Sequence, residues 1–126
     1  LDPQNSRYQY LFSHVLYRTG KLAGAEKAAT RALELSDKPT AGLLHHRAIL
    51  RHRLNNHAGA LSDWEAAIAL APEKAAYHAH ASEALKRLAR FEQAFSYAAR
   101  ASSLEPENET YRKRYTQLQE QLGRPD

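Results

Sequence analysis

Apolar residues along this chain fall at helical intervals broken by short polar turns. Near the end, Tyr111, Tyr115, Leu118 and Leu122 are spaced i, i+4, i+7 and i+11, while Arg112, Lys113, Arg114 and Gln119 occupy much of the remaining surface. That stripe predicts a helix over 109–122 with one apolar and one wet face. Near the start, Tyr8, Leu11 and Val15 supply apolar positions for a helix over 6–19. The pattern also recurs at long range. Leu1, Leu35, Leu70 and Leu104 are 34, 35 and 34 residues apart, and Leu1-Asp2-Pro3-Gln4-Asn5 returns nearly unchanged as Leu104-Glu105-Pro106-Glu107-Asn108. A fixed period in this range marks a solenoid built from stacked helical units.

In this register small residues align with small ones: Ser13, Ala48 and Ser82, and again Ala25, Ala60 and Ala94. Such positions are where helix backbones approach closely, since larger side chains would push them apart. The pattern predicts pairs of helices, with first members at 6–19, 41–54 and 75–88 and second members at 22–35, 58–71 and 91–104. Gly20 and Asn55-Asn56 suit the left-handed conformation that ends a helix, whereas Ala89-Arg90 is a weaker stop. Pro72 and Pro106 follow helix ends, where a missing N–H does no harm.

The tetratricopeptide pattern is an aromatic residue, two residues, Leu-Gly, two residues, Tyr, then Ala, three residues and Phe, then Pro. Here Leu44-x2-Arg47-Ala48-x2-Arg51 precedes Ala60-x3-Trp64 and Pro72, and His78-x2-Ala81-Ser82-x2-Leu85 precedes Ala94-x3-Ala98 and Pro106. The first copy diverges most, with Gln9-x2-Phe12-Ser13-x2-Leu16, Ala25-x3-Ala29 and an extra residue in the turn at 37–40. The chain thus resembles the tetratricopeptide repeat family over nearly its whole length. The resemblance implies an all-α fold, a right-handed superhelical solenoid of antiparallel helix pairs. Its units would be repeats at 6–40, 41–74 and 75–108, a capping helix and tail at 109–126, and the tail of a preceding repeat at 1–5. The last of these implies a fragment of a longer repeat protein.

Composition allows one folded unit and removes several chemistries. Of the residues, 43% are hydrophobic, enough for a core, and no apolar run approaches the roughly 18 residues of a membrane span. There is no cysteine, hence no disulfide or thiolate chemistry, and the redox compartment stays open. The seven histidines are the main candidates for chemistry, and six lie on the first helices: His14, His45, His46, His52, His78 and His80. His46 and His80 stand at equivalent places in adjacent repeats, with Glu83 one turn from His80. Zinc needs three or four ligands with outer support, so the reading here is exposed or groove-lining imidazoles, with no metal, no cofactor and no enzyme. Trp64 reads as core. Arg47 and Asp63-Trp64 match a variant of the repeat in which such an arginine and aspartate pair, whereas Arg51 has no comparable partner.

Charge divides between the two helix sets. The first helices carry Arg7, Arg18, Arg47, Arg51, Arg53, Lys86 and Arg87 against Glu83 alone, a net of +6, and the second helices total −2. The family's first helices line a concave face, so the resemblance implies a basic, aromatic and histidine-rich groove. Its ladders are Tyr10, His45 and Ala79; His14, Ile49 and Glu83; Tyr17, His52 and Lys86; and Arg18, Arg53 and Arg87. With His80, the residues of these ladders apart from Ala79 are the candidate partner contacts.

The function these features imply is a protein-interaction scaffold taking a peptide or helix, with an acidic partner favoured. The chain's net charge of +4 also leaves an anionic polymer as an alternative. The lack of dense basic runs weighs against nucleic acid and leaves an acidic polysaccharide. Some family members clamp a C-terminal carboxylate through basic and amide residues at the positions of Tyr10, His14, His46, Ala76 and His80, and none of these five matches. The repeats are also similar to those of bacterial envelope export and polysaccharide-secretion scaffolds, which implies a periplasmic or envelope setting. A groove rich in imidazole is expected to gain charge between about pH 7.5 and 5.5 and to bind an acidic partner more tightly.

Overall fold

The structure, a computed structural model, describes residues 2–124. Leu1, which heads the leucine series, and Pro125 and Asp126 of the tail lie outside the described residues. Seven helices follow in order: α1 (Ser6–Arg18), α2 (Leu22–Leu35), α3 (Ala41–Arg53), α4 (His57–Leu70), α5 (Ala75–Arg87), α6 (Phe91–Leu104) and α7 (Glu109–Gln121). There is no strand among the described residues, and no helix among them is long and apolar enough to cross a membrane. Each helix packs on the next, most closely within the pairs α1–α2, α3–α4 and α5–α6. Connections of three to five residues leave room only for antiparallel neighbours. The result is an all-α solenoid of helix pairs.

Local chemistry explains where each helix stops. The first members of the pairs, and α7, end alike: Lys21 N–H reaches Leu16 O, Asn56 reaches Arg51 O, Arg90 reaches Leu85 O and Arg124 reaches Gln119 O. These are the six-to-one bonds of a Schellman turn, which needs a left-handed residue just before the donor. Gly20, Asn55, Ala89 and Gly123 fill that place, with φ of 81, 65, 58 and 65°. Ala89 does so despite a Cβ that costs about 1–2 kcal/mol there. The helices accordingly end at 18, 53 and 87, one residue short of expectation, with residues 19, 54 and 88 serving as caps. Starts are capped as well: the side chains of Asn5, Thr40, Asn56 and Asn108 accept from backbone N–H groups three residues on. Residues 2–5 form a turn closed by Asn5 N–H to Asp2 O, the counterpart of Asn108 N–H to Glu105 O.

The aligned small residues lie where the paired helices touch. Ser13, Ala48, Ala25, Ala60 and Ala94 are wholly buried and Ser82 nearly so. The two serines also bond across the pair, Ser13 Oγ donating to Ala25 O at 2.7 Å and Ser82 Oγ to Ala94 O at 2.8 Å. The main core gathers around Trp64, Leu61, Leu85 and Leu118 and runs from α3 to α7. Between α2 and α3 the buried apolar residues are small: Ala25 and Ala29 meet Leu50, with Leu16, Tyr17 and Leu22 partly buried beside them, and Leu33 packs toward Leu44.

Arg47 and Asp63 form a bidentate pair, with two N–H···O bonds of 2.8 Å. Arg51, expected to lack a partner, does have partners: it binds Glu26 of α2 at 3.1 Å and shares Asp63 at 3.3 Å. Glu26 comes from the neighbouring pair, 25 residues away in sequence, so no local spacing could announce it. Gln119, expected on the wet face of α7, is buried beside Leu118.

Candidate functional site

Ten of the twelve candidate contacts sort into two clusters of rings and an outer set of cations, while Ile49 and Glu83 belong to neither. In the first cluster, Tyr10 and His14 of α1 enclose His46 of α3. His14 stacks on His46 at 4.3 Å between centroids, while Tyr10 and Tyr17 meet it edge-on. His46 is not exposed, as a groove-lining imidazole would be; it is 7% exposed and bonds Ser13 Oγ at 2.8 Å. Because that hydroxyl already donates to Ala25 O, it must accept from His46 Nε2–H. The pKa of His46 falls to about 4, chiefly through burial and then through His14 and His45, so the ring is neutral in this polar junction near pH 7.

The second cluster centres on Trp64 of α4, whose indole N–H donates to His45 Nδ1 at 3.0 Å. His80 of α5 stacks on the indole at 5.1 Å, and His52 meets it edge-on at 5.7 Å. His45 is 5.3 Å from His80 and 5.0 Å from Tyr77. Burial, and then His80 and Lys74, lower the pKa of His45 to about 4, and Nδ1 accepts the indole N–H through its lone pair. Burial likewise lowers His80, with Arg114 adding to the effect and Glu83 opposing it. His52 is lowered by burial and by His57, with smaller contributions from Arg87 and His80. The expectation that these imidazoles gain charge by pH 5.5 therefore fails for His45 and His46, since desolvation keeps both neutral to near pH 4.

Trp64, at the centre of this cluster, is buried in the core as the sequence predicts, whereas helix periodicity did not point to His57. His57 opens α4, and its Nδ1 lies 2.8 Å from His52 Nδ1, one ring donating and the other accepting. The contact crosses the turn between α3 and α4, so the pair does not share a helix face. His46 and His80, equivalent in the repeat, each join a different cluster. His78 lies under the surface, its Nε2–H donating to Pro72 O at 2.8 Å. Among the described residues no three of His, Asp and Glu gather as a metal would need.

Much of the positive charge of the first helices is spent internally. Arg47 and Arg51 face Asp63 and Glu26. Glu83 takes Lys86 at 3.4 Å and Arg114 of α7 at 3.6 Å, and Ile49 packs on the main core. Arg18, Arg53 and Arg87 remain exposed at the ends of α1, α3 and α5, without a carboxylate partner among the described residues. Arg53 donates to Tyr17 Oη at 2.9 Å and lies over the tyrosine ring.

No family model and no curated protein matches the sequence. Solved structures do match its shape. The first tetratricopeptide domain of Spaghetti (RPAP3), bound to the HSP90 peptide SRMEEVD, superposes with a TM-score of 0.85 at 24% identity, covering 98% of this chain and 97% of that one. The Arabidopsis OM64 tetratricopeptide domain gives 0.83 at 20%, covering 94% and 98%. MamA from Desulfovibrio magneticus gives 0.87 at 18%, covering 95% of this chain and 67% of that one. The chain has the tetratricopeptide repeat fold.

Within this tetratricopeptide repeat fold, the five positions associated with a carboxylate clamp hold Tyr10, His14, His46, Ala76 and His80. Three of these side chains pack on one another and His80 packs on Trp64. Four of these five positions thus hold rings, and the fifth holds Ala76.

Proposed function

We propose that the chain is a non-catalytic scaffold that binds a peptide or helix of another protein along the concave surface of α1, α3 and α5. The observation that carries this reading is the two ring clusters on the first helices, with Arg18, Arg53 and Arg87 exposed and without a carboxylate partner among the described residues. Rings give broad contact area at low entropic cost, and a row of exposed cations favours carboxylates on one side of the ligand. The expected partner therefore alternates acidic with aromatic or aliphatic residues. The similar RPAP3 domain holds a peptide with two adjacent glutamates, which supports peptide binding in this fold. The ring-filled clamp positions argue against dependence on a free C-terminus. Internal pairing of Arg47, Arg51 and Lys86 leaves few free cations and weighs against the alternative, an acidic polysaccharide or nucleic acid.

A peptide selected from a random display library against the whole chain provides the test. Its affinity is measured for Arg18→Ala/Arg53→Ala/Arg87→Ala and for Lys27→Ala/Lys38→Ala/Arg100→Ala, which removes the same charge elsewhere. The groove reading requires a loss of at least about tenfold in the first variant and little in the second. The reverse pattern would place binding on the other face. A steep fall with salt for heparin, at an affinity above that of any selected peptide, would favour the polymer.

A further inference from the structure

The entry into α3 departs from its counterparts in three ways. Five residues join α2 to α3, against four between α4 and α5 and four between α6 and α7. Gly42 stands where α5 has Ala76, and Leu43 stands where α1, α5 and α7 have Tyr8, Tyr77 and Tyr111. A groove of about 390 Å³ opens at this point between α1 and α3, bordered by Tyr10, Gly42 and Leu43 and by Ser36 and Thr40 of the turn. The repeat register shows what stands in the equivalent place elsewhere. His45 and Tyr77, the counterparts of Tyr10 and Leu43, are rings in contact at 5.0 Å. At the following junction Ala79 and Tyr111 border a cavity of only about 10 Å³. The groove is thus room left by a missing ring, and described helices of this chain bound it on both sides.

The serine and threonine hydroxyls around it are already engaged. Ser6 Oγ donates to Ala32 O, Ser36 Oγ donates to Lys38 O, and Thr40 Oγ1 accepts from Leu43 N–H. Arg7 also borders the groove; it is exposed and has no hydrogen-bond or carboxylate partner among the described residues. We propose that this groove anchors an aromatic side chain of the bound peptide, and that Arg7 pairs with a carboxylate next to that residue. Leu43 and the Tyr10 ring offer apolar surface suited to the faces and edges of a ring, and a guanidinium holds a carboxylate with two donors. The inference rests on the reading that the partner lies along α1, α3 and α5, since Tyr10 joins the groove to the first ring cluster. It adds a second contact region to that reading. Arg7 lies near the start of α1 and Arg18 at its end, roughly 16 Å away at 1.5 Å per residue, so the two arginines meet different parts of a ligand.

The probe is a capped glutamate–phenylalanine–glutamate tripeptide, titrated into the isotope-labelled full chain and followed by NMR. Two controls replace its phenylalanine by alanine or both glutamates by glutamine. The parent peptide should shift Tyr10, Gly42 and Leu43 saturably, and the alanine peptide should bind at least about tenfold more weakly. Gly42→Leu puts a branched side chain at the groove wall. A Cβ there meets no atom within 4 Å, and leucine favours a helix over glycine, so the variant should fold while binding falls at least about tenfold. Glutamate should be preferred to glutamine by about two- to fivefold, a preference that Arg7→Gln removes and Arg18→Ala keeps. No saturable shift at the groove, equal binding by the parent and alanine peptides, or full binding by Gly42→Leu would each overturn the anchor. A glutamate preference that survives Arg7→Gln would overturn the role of Arg7. A display-selected peptide that loses affinity in Arg18→Ala/Arg53→Ala/Arg87→Ala but not in Gly42→Leu would sink this inference and leave the scaffold reading standing. One indifferent to both variants would remove the concave-face reading itself.

Discussion

From α4 to α7 the solenoid is joined by hydrocarbon: Trp64, Leu61, Leu85 and Leu118 interlock with alanines, and Phe95 stacks on Tyr115. From α1 to α3 much of the same job falls to polar groups. Ser13 links Ala25 O to His46, Arg51 reaches back to Glu26, Arg47 touches Thr30 while gripping Asp63, and Arg53 holds Tyr17. One repeat geometry can thus be met by either chemistry. The two differ in how they fail. An apolar junction loses stability in proportion to the atoms removed, whereas a polar one strands every partner of a deleted group. The opening half should therefore be the more brittle, and the more sensitive to pH.

The largest effect tests the polar junction at its centre. Asp63 is buried and serves both Arg47 and Arg51, so Asp63→Ala leaves two guanidinium groups poorly solvated. Breaking such a pair costs about 3–5 kcal/mol, read as a lower urea midpoint, whereas Glu34→Ala on the exposed part of α2 should change little. A loss below about 1 kcal/mol for Asp63→Ala would mean that water reaches the pair.

Next come two residues in one register position at opposite ends. Leu118→Ala empties a buried site and should cost about 2–5 kcal/mol, whereas Val15→Ala, on an open face, should stay within about 0.5 kcal/mol. Equal losses by calorimetry would erase the distinction between a capped end and an open one.

A finer comparison sets Ser13 against Ser82. Ser82→Ala removes one bond to Ala94 O and should cost about 1 kcal/mol. Ser13→Ala strands both Ala25 O and the N–H of His46, and its cost should be larger, about 1–3 kcal/mol. Thermal unfolding of the two variants side by side decides whether the histidine bond matters.

The last comparison is with pH. His45 and His46 have folded pKa values near 4, below the unfolded value of about 6.5. Between these limits the unfolded chain binds more protons, so their contribution is complete above about pH 6.5 and declines as pH falls toward 4. Urea midpoints should drop over this window, and less steeply for His45→Gln/His46→Gln. Equal slopes would show that other groups govern acid sensitivity.

Much of the fold was legible because it is local and repeated. Helical spacing, the alanine and serine ladders and the stop residues each reflect contacts within a few turns, and repetition confirmed them. Arg47 with Asp63 was legible through the resemblance. The ring clusters were only half visible: the ladders singled out Tyr10, His14, Tyr17, His45 and His52, with His80 added beside them. They could not show that His46 turns inward to Ser13, or that Trp64 bonds His45. Those contacts depend on side-chain direction across helix boundaries, where no spacing rule applies.

By itself the sequence determined the helices, their pairing and the apolar character of α1's outer face, because periodicity and residue size act through the chain's own geometry. Only the tertiary structure decided which charges remain free. Arg51 found Glu26 in the neighbouring pair, and Glu83 found Arg114 in α7. Such pairing depends on distances between elements remote in sequence, so of the seven cations on the first helices only Arg7, Arg18, Arg53 and Arg87 stay exposed without a carboxylate partner among the described residues.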